Sequence, residues 1–252
     1  MLPVSTFSPV RRAIPFLRAL FLLPLLLGLS VPASAGELRI ATPDLGSCGF
    51  MVEGRPGGFC FELANAMARA VGMEPVNRLA PLARSVEEFA AGGTDLIIVL
   101  PEERVVTAGE DLGPVRTMPM VAWARIETPL RDVRDLGGKL VAVVRGSRYE
   151  NEAGHALGIV PFPCKDHELS LKMLLAGRVQ AVIGSYLGLA SSMRKLGLQR
   201  RYFGDPLVLS EEVMHAYVSK RLDRAERDRL KAALDGLLRD GTVAGLRDRY
   251  PQ

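Results

Sequence analysis

Cysteines, histidines and the residues just beyond apolar runs are the groups in this chain whose types and spacing suggest chemistry. Cys48 and Cys60 flank Glu53-Gly54-Arg55-Pro56-Gly57-Gly58, a glycine-rich turn able to fold them together. They form either a disulfide or two buried free thiols. An unstrained disulfide closing such a loop contributes on the order of 3 kcal/mol through unfolded-state entropy. Cys164 leaves the count odd and is expected as a lone buried thiol. His155, His167 and His215 are scattered and offer no metal-ligand spacing, so no metal and no cofactor is expected. Ser185 and Tyr186 follow one apolar run, while Asp44 and Phe50 follow another, Leu38–Thr42. Open α/β sheets bind ligands beyond the carboxyl ends of their strands. There Asp44 can meet an amine and Phe50 can wall a pocket, a solvated turn being the alternative. Ser185 is either a ligand contact or a helix cap. Arg84, at a strand-to-helix junction on the same side, is either a ligand contact or a solvated residue. Trp123 reads as packing.

The elements that must position these residues come as a repeated unit. Ala91-Gly92-Gly93-Thr94-Asp95-Leu96-Ile97-Ile98-Val99 has an echo 85 residues later, Ala176-Gly177-Arg178-Val179-Gln180-Ala181-Val182-Ile183-Gly184. In both, a helical pattern ends at Ala-Gly, where glycine suits the left-handed position after a helix. A short turn and an uninterrupted aliphatic run follow, as in a strand covered on both faces. Two copies imply two similar α/β lobes with a cleft between them, and a cleft is where small ligands bind.

Strands are expected over Leu38–Thr42, Val76–Leu79, Asp95–Leu100, Lys139–Val144, Ile159–Pro163 and Gln180–Gly184. Between them lie helical stripes: Phe61 to Val71, stopped at Gly72; a helix opened by a Ser85-Val86-Glu87-Glu88 capping box; one after Gly146-Ser147; one capped by Asp166; and one from about Tyr186. The first lobe thus opens β-α-β-α-β, a parallel sheet with right-handed crossovers. Met118–Ile126 and Ser210–Ser219 read as the two crossings between lobes. A leucine-striped helix broken at Gly241 and a last short helix ending near Tyr250 close the chain. Lobe 1 is expected over 36–118 and 210–252, lobe 2 over 119–209.

Residues 1–35 read as a cleaved signal peptide. Arg11, Arg12 and Arg18 precede an apolar core, Ala19–Leu29, which is too short to span a membrane, and Ala33-Ser34-Ala35 fits a small-x-small cleavage site. Gly36 rather than cysteine follows, so no lipid anchor is expected. The product is expected to be an exported, soluble, periplasmic monomer. The net charge of +4 falls to +1 once those three arginines are removed, leaving 29 basic against 28 acidic residues. With no basic run interleaved with aromatics, nucleic acid is excluded as a partner.

The chain resembles the bacterial extracellular solute-binding proteins of the amino-acid type (family 3) across residues 37–250. The resemblance is carried by Gly58-Phe59-Cys60-Phe61-Glu62-Leu63-Ala64, like that family's Gly-Phe-Asp-x-Asp/Glu-Leu-Ala, and by Pro101-Glu102-Glu103-Arg104, like its Thr-x-Glu-Arg. Leu136–Val143, Gly146-Ser147, Gly177–Gly184 and Leu238-Arg239-Asp240-Gly241-Thr242 extend it in the family's order and spacing. Pro81-Leu82-Ala83-Arg84 looks like a divergent branch carrying Pro-x-x-Arg. The resemblance implies a type II, two-lobed periplasmic-binding-protein-like fold, α/β, with each lobe a mostly parallel sheet flanked by helices and two hinge strands joining them. It implies a binder that clamps a solute and delivers it to an ABC importer or a membrane receptor, not an enzyme. A dehydratase on the same scaffold is the remaining alternative, with Glu150 the nearby acid or base.

The resemblance also assigns residues. Arg104 matches the arginine that pairs bidentately with the solute's carboxylate. Gly146 and Ser147 match a glycine-hydroxyl pair whose free amides, at a helix start, favour an anion. Arg145 stands beside them, able to add charge or to point to solvent. Ser185 stands where binders of α-amino acids usually carry Asp, which passes the search for an amine partner to Asp44. Cys60 replaces an acidic position, and the loop from Leu100 to Arg104 is short. These departures point to an anionic or carboxylate-bearing small solute rather than a standard amino acid.

Overall fold

The computed structural model describes residues 36–250; the expected signal peptide, residues 1–35, lies outside them. The first strand, β1 (Glu37–Pro43), is followed by a two-stranded hairpin, β2 (Phe50–Val52) and β3 (Arg55–Gly57). Next come α1 (Phe59–Ala70), β4 (Glu74–Ala80), α2 (Leu82–Ala90), β5 (Leu96–Val99) and α3 (Glu103–Ala108). A long strand, β6 (Gly109–Trp123), leads to β7 (Leu140–Val144), α4 (Glu152–Ala156), β8 (Val160–Cys164), α5 (His167–Leu175), β9 (Ala181–Ser185) and α6 (Tyr186–Lys195). The chain returns along β10 (Leu207–Ser219) and ends with α7 (Arg224–Arg239) and α8 (Thr242–Arg249).

Eight strands form one sheet in the order β4-β1-β5-β10-β6-β9-β7-β8. Both flanks are parallel: β4 with β1 and β1 with β5 on one side, β9 with β7 and β7 with β8 on the other. The centre is antiparallel, because β6 runs out and β10 runs back. Each of these strands serves both flanks. The Val218 end of β10 pairs with β5, while the Trp123 end of β6 pairs with β9. The two pair with each other along their whole length, with Met118 opposite Glu212 near the middle. The expected lobes are thus joined by two strands, as anticipated, and these pair into one continuous sheet. Their length allows it, at 15 residues for β6 and 13 for β10.

The repeat is structural. Gly92 and Gly177, which follow α2 and α5, sit at φ +76° and +68°, a region that glycine enters without steric cost. Asp95 and Gln180 occupy equivalent places before β5 and β9, and both side chains accept a backbone N–H from the neighbouring strand. Asp95 takes Arg39 N at 3.0 Å and also Arg39 Nε and Nη2, at 2.9 and 2.6 Å; Gln180 takes Leu140 N at 2.6 Å. β5 is buried along its whole length, as a strand covered on both faces must be.

Each half has a core on both faces of its sheet. In the first, Leu38, Ile40, Phe59, Leu63 and Met67 pack with Leu230 and Leu234 of α7, while Val86, Phe89, Ile97 and Val105 fill the opposite face. In the second, Val141, Val143 and Ile183 pack with Tyr149 and Leu136, while Trp123, Val182, Leu171 and Leu174 pack with Phe203. Trp123 is therefore a packing residue, with Phe203 at 5.6 Å and Tyr186 at 5.9 Å between ring centroids.

Four expectations are corrected. The second helix opens at Leu82 with Pro81 as its N-cap, not at Ser85. Proline's fixed φ suits that position, and Ser85, buried inside the helix, donates instead to the carbonyl of Ala80 at 3.3 Å. Helix α3 was not anticipated; the Glu102 side chain caps it by accepting the amides of Arg104 and Val105. The strand expected from Met118 begins at Gly109, with Gly113 and Pro114 accommodated at a register shift near Met214/His215. The helix expected after Gly146-Ser147 is a 3-10 turn, Arg148–Glu150, before the short α4.

Candidate functional site

A cavity of about 110 Å³ lies between the two flanks of the sheet, lined by residues of both. The loop after β1 supplies Leu45, Ser47 and the Cys48–Cys60 disulfide; α2 supplies Leu82 and Val86; the turn before α3 supplies Glu102. From the central strands come Arg116, Met118, Met120 and Met214, and from the second half come Ser147, Arg148, Tyr149, His167 and Ser185. Cys164 is a buried free thiol whose pKa is raised, chiefly by burial.

Glycines let the halves approach across this cavity. A Cβ added to Gly146, at φ +81°, would lie 2.6 Å from the Cα of Ala83 in α2, and one on Gly46 would lie 3.3 Å from the Cα of Gly188 in α6. A third contact crosses toward β10. Arg148 Nη1 donates to Glu212 Oε2 at 2.7 Å, and the Tyr149 hydroxyl lies 3.2 Å from Ser210 Oγ.

Among the described residues, three that line the cavity each carry a buried polar atom without a hydrogen-bond partner: Arg116 Nε, Ser147 Oγ and His167 Nδ1. Arg116 is only 4 % exposed and stacks 4.4 Å over the Phe59 ring. Its Nη2 donates to the carbonyls of Arg247 and Tyr250 at the end of α8, and its Nη1 to Ser47 Oγ at 3.4 Å. No carboxylate among the described residues pairs with it, and burial, then the charge of Arg247, pushes its pKa down. His167 is 3 % exposed, at the first position of α5. Its ring fits a slot that two glycines vacate: a Cβ on Gly184 would be 2.5 Å from Nε2, and one on Gly188 2.5 Å from Cε1. Burial pushes its pKa down from 6.5 to about 4, so it is neutral near pH 7.

Of the residues singled out from the sequence, Gly146, Ser147 and Ser185 line the cavity. Their roles differ from those expected. The Gly146 amide is already taken by Glu150 Oε2 at 2.5 Å and the Ser147 amide by the Val144 carbonyl at 3.0 Å, so no open pair of amides awaits an anion. What Ser147 presents is its hydroxyl. Ser185 caps α6, accepting Gly188 N at 3.2 Å, while still facing the cavity.

The other six lie away from the lining. Arg104 is exposed in the first turn of α3, because Glu102 caps that helix in the place where the fork was expected. Arg84 is exposed and paired with Glu88 at 2.9 Å, one turn along α2. Arg145 and Asp44 are exposed, and Tyr186 is 38 % exposed beside Trp123. Phe50 packs edge-on against Tyr250, 5.9 Å between centroids. Sequence reasoning missed Arg116, Glu102 and His167. The signal for His167 was its place directly after the Asp166 cap; for Arg116 there was none, since a lone arginine in a polar-looking stretch reads as surface.

Comparison with known proteins found no matching family model. The chain is 27 % identical over 205 residues to the probable amino-acid-binding protein YxeM of Bacillus subtilis (strain 168), covering 78 % of this chain and 76 % of that protein. It superposes on the substrate-binding protein of an amino acid ABC transporter with a TM-score of 0.73 at 17 % identity, over 86 % of this chain and 99 % of that one. It also superposes on a histidine kinase sensor domain similar to periplasmic binding proteins, with a TM-score of 0.73 at 20 % identity, over 86 % of this chain and 96 % of that one.

Proposed function

From its standing as a divergent relative of the extracellular solute-binding proteins of the amino-acid type, we propose that this chain binds a small carboxylate-bearing solute between its two halves in the periplasm and passes it to an ABC importer. The single observation carrying this reading is that residues lining one cavity from both halves each hold a buried polar atom without a partner: Arg116 Nε on a central strand, Ser147 Oγ and His167 Nδ1 in the second half. A buried polar atom without a partner costs about 1–3 kcal/mol, and a solute that pairs with it recovers that cost. Arg116 contributes a positive charge that no described carboxylate offsets, so the complementary group is an anion. Because these atoms come from opposite sides, a solute bound to all of them favours the closed arrangement over an open one.

The same clamp serves a sensor as well as a transporter, and the likeness to a kinase sensor domain keeps a ligand-sensing accessory as the second reading. The dehydratase alternative loses its acid–base candidate. Glu150 does not line the cavity, and its carboxylate holds the Gly146 amide.

The test is a thermal-shift screen of metabolites against the refolded, solute-free protein and its Ser147→Ala variant. A solute at about 100 times its Kd stabilises by about 2.7 kcal/mol. The variant is expected to melt at the same or a slightly higher temperature when empty, since an unpaired hydroxyl is removed, and to lose most of the shift. A hit whose shift is the same in both proteins rules out this cavity as the site.

A further inference from the structure

Resting on that reading, we propose that the solute is an amino acid whose side chain is uncharged and apolar, aliphatic or thioether, with its ionic head shared between Arg116 and Glu102.

The charges at the cavity carry the argument. Among the described residues, three ionic side chains line it: Glu102, Arg116 and Arg148. Arg148 is spent on Glu212, 2.7 Å away. Glu102 uses only Oε2 to cap α3, through Arg104 N at 3.1 Å and Val105 N at 3.3 Å; none of its hydrogen bonds engages Oε1. Arg116 spends Nη1 and Nη2 on protein oxygens and keeps Nε unpaired. One acid with a free carboxylate oxygen and one base that no described carboxylate neutralises remain among the lining residues, which matches a solute bearing one ammonium and one carboxylate. This places the amine partner at Glu102 rather than at the exposed Asp44. His167 is neutral near pH 7 and offers no charge to offset a second anion.

Nothing is left for a charged side chain. Burying an ion without a partner costs several kcal/mol, whereas each buried methylene gains about 0.8 kcal/mol. The walls suit the second case: Leu82 and Val86 on α2, Met118 and Met120 on β6, Met214 on β10, and the Cys48–Cys60 disulfide beside them. Methionines adapt their shape to an apolar guest, and sulfur is soft and polarisable toward a thioether. A charged side chain would need a second acid or base here, and none of the described lining residues supplies one that is free.

Titration calorimetry on the solute-free protein tests this, with L-leucine, L-methionine, L-lysine, L-arginine, L-glutamate and 4-methylpentanoate, which is leucine without its amine, as probes. Leucine or methionine is expected to bind at least tenfold more tightly than any charged amino acid, and 4-methylpentanoate at least tenfold more weakly than leucine. Glu102→Gln is expected to close the gap between leucine and 4-methylpentanoate while leaving the protein folded. A charged amino acid that binds as tightly as leucine, or no binding by either apolar amino acid, overturns the inference. A charged probe whose affinity depends on Ser147 overturns it while leaving the cleft reading intact; a metabolite screen without a single hit overturns both.

Discussion

His167 shows how one side chain ties the site to stability. Its ring occupies space that Gly184 and Gly188 leave open, and burial lowers its pKa from 6.5 to about 4. The unfolded chain takes up that proton near pH 6.5 and the native protein only near pH 4, so between those values the unfolded state binds more protons. Stability therefore falls as the pH drops through this window, by up to about 3 kcal/mol for this residue. Urea unfolding of the wild type and of His167→Leu at pH 7 and pH 4.5 measures the difference; a wild type as sensitive to acid as the variant contradicts it. The other cavity residues differ in what the sequence disclosed. Ser185 was singled out because it follows an apolar run, and Ser147 because it matches the glycine-hydroxyl pair of the family that the chain resembles. Arg116 was not, because its burial comes from Phe59, Ser47 and the end of α8, which are remote in sequence.

Among the elements, helix ends and the disulfide loop are where local chemistry predicts cost. Asp166 caps α5 by accepting Leu169 N at 2.7 Å, and Asp166→Ala is expected to cost about 1 kcal/mol, read as a lower urea midpoint. Replacing Cys48 and Cys60 with alanine is expected to cost about 3 kcal/mol and to loosen the loop that carries Ser47 and Leu45 into the cavity. The loss should equal that produced by reducing the wild type; a reductant-insensitive midpoint would show that the bridge does not constrain the unfolded chain. Periodicity located β1, β4, β5, β7, β8 and β9; the most buried of them, β5, β7 and β9, are short runs of mostly aliphatic residues. It did not locate α3 or the first half of β6. A six-residue helix has no second turn to show a period, and Gly113 and Pro114 interrupt the alternation of a strand whose neighbours tolerate the bulge.

For the whole molecule, the decisive geometry is the approach of the halves at Gly146 and Ala83. Ala83→Leu keeps a good helix former in α2 but puts branched carbon against Gly146, where a Cβ added to the glycine would lie 2.6 Å from the Ala83 Cα. Its melting temperature without solute is expected to change by only a few degrees. Small-angle scattering is expected to show a radius of gyration that no longer contracts when solute is added, with at least a tenfold loss of affinity. Contraction equal to that of the wild type would mean that closure does not pass through this contact.

By itself, the sequence determined the repeated helix–glycine–strand unit and the class of fold, because these follow from local periodicity and from glycines that alone fit left-handed turns. The tertiary structure decided which ionisable groups face the cavity. Whether a guanidinium is exposed, like Arg104, or buried, like Arg116, depends on which distant surfaces close over it. Burial of that kind sums contacts between segments more than a hundred residues apart, and no spacing along the chain records it.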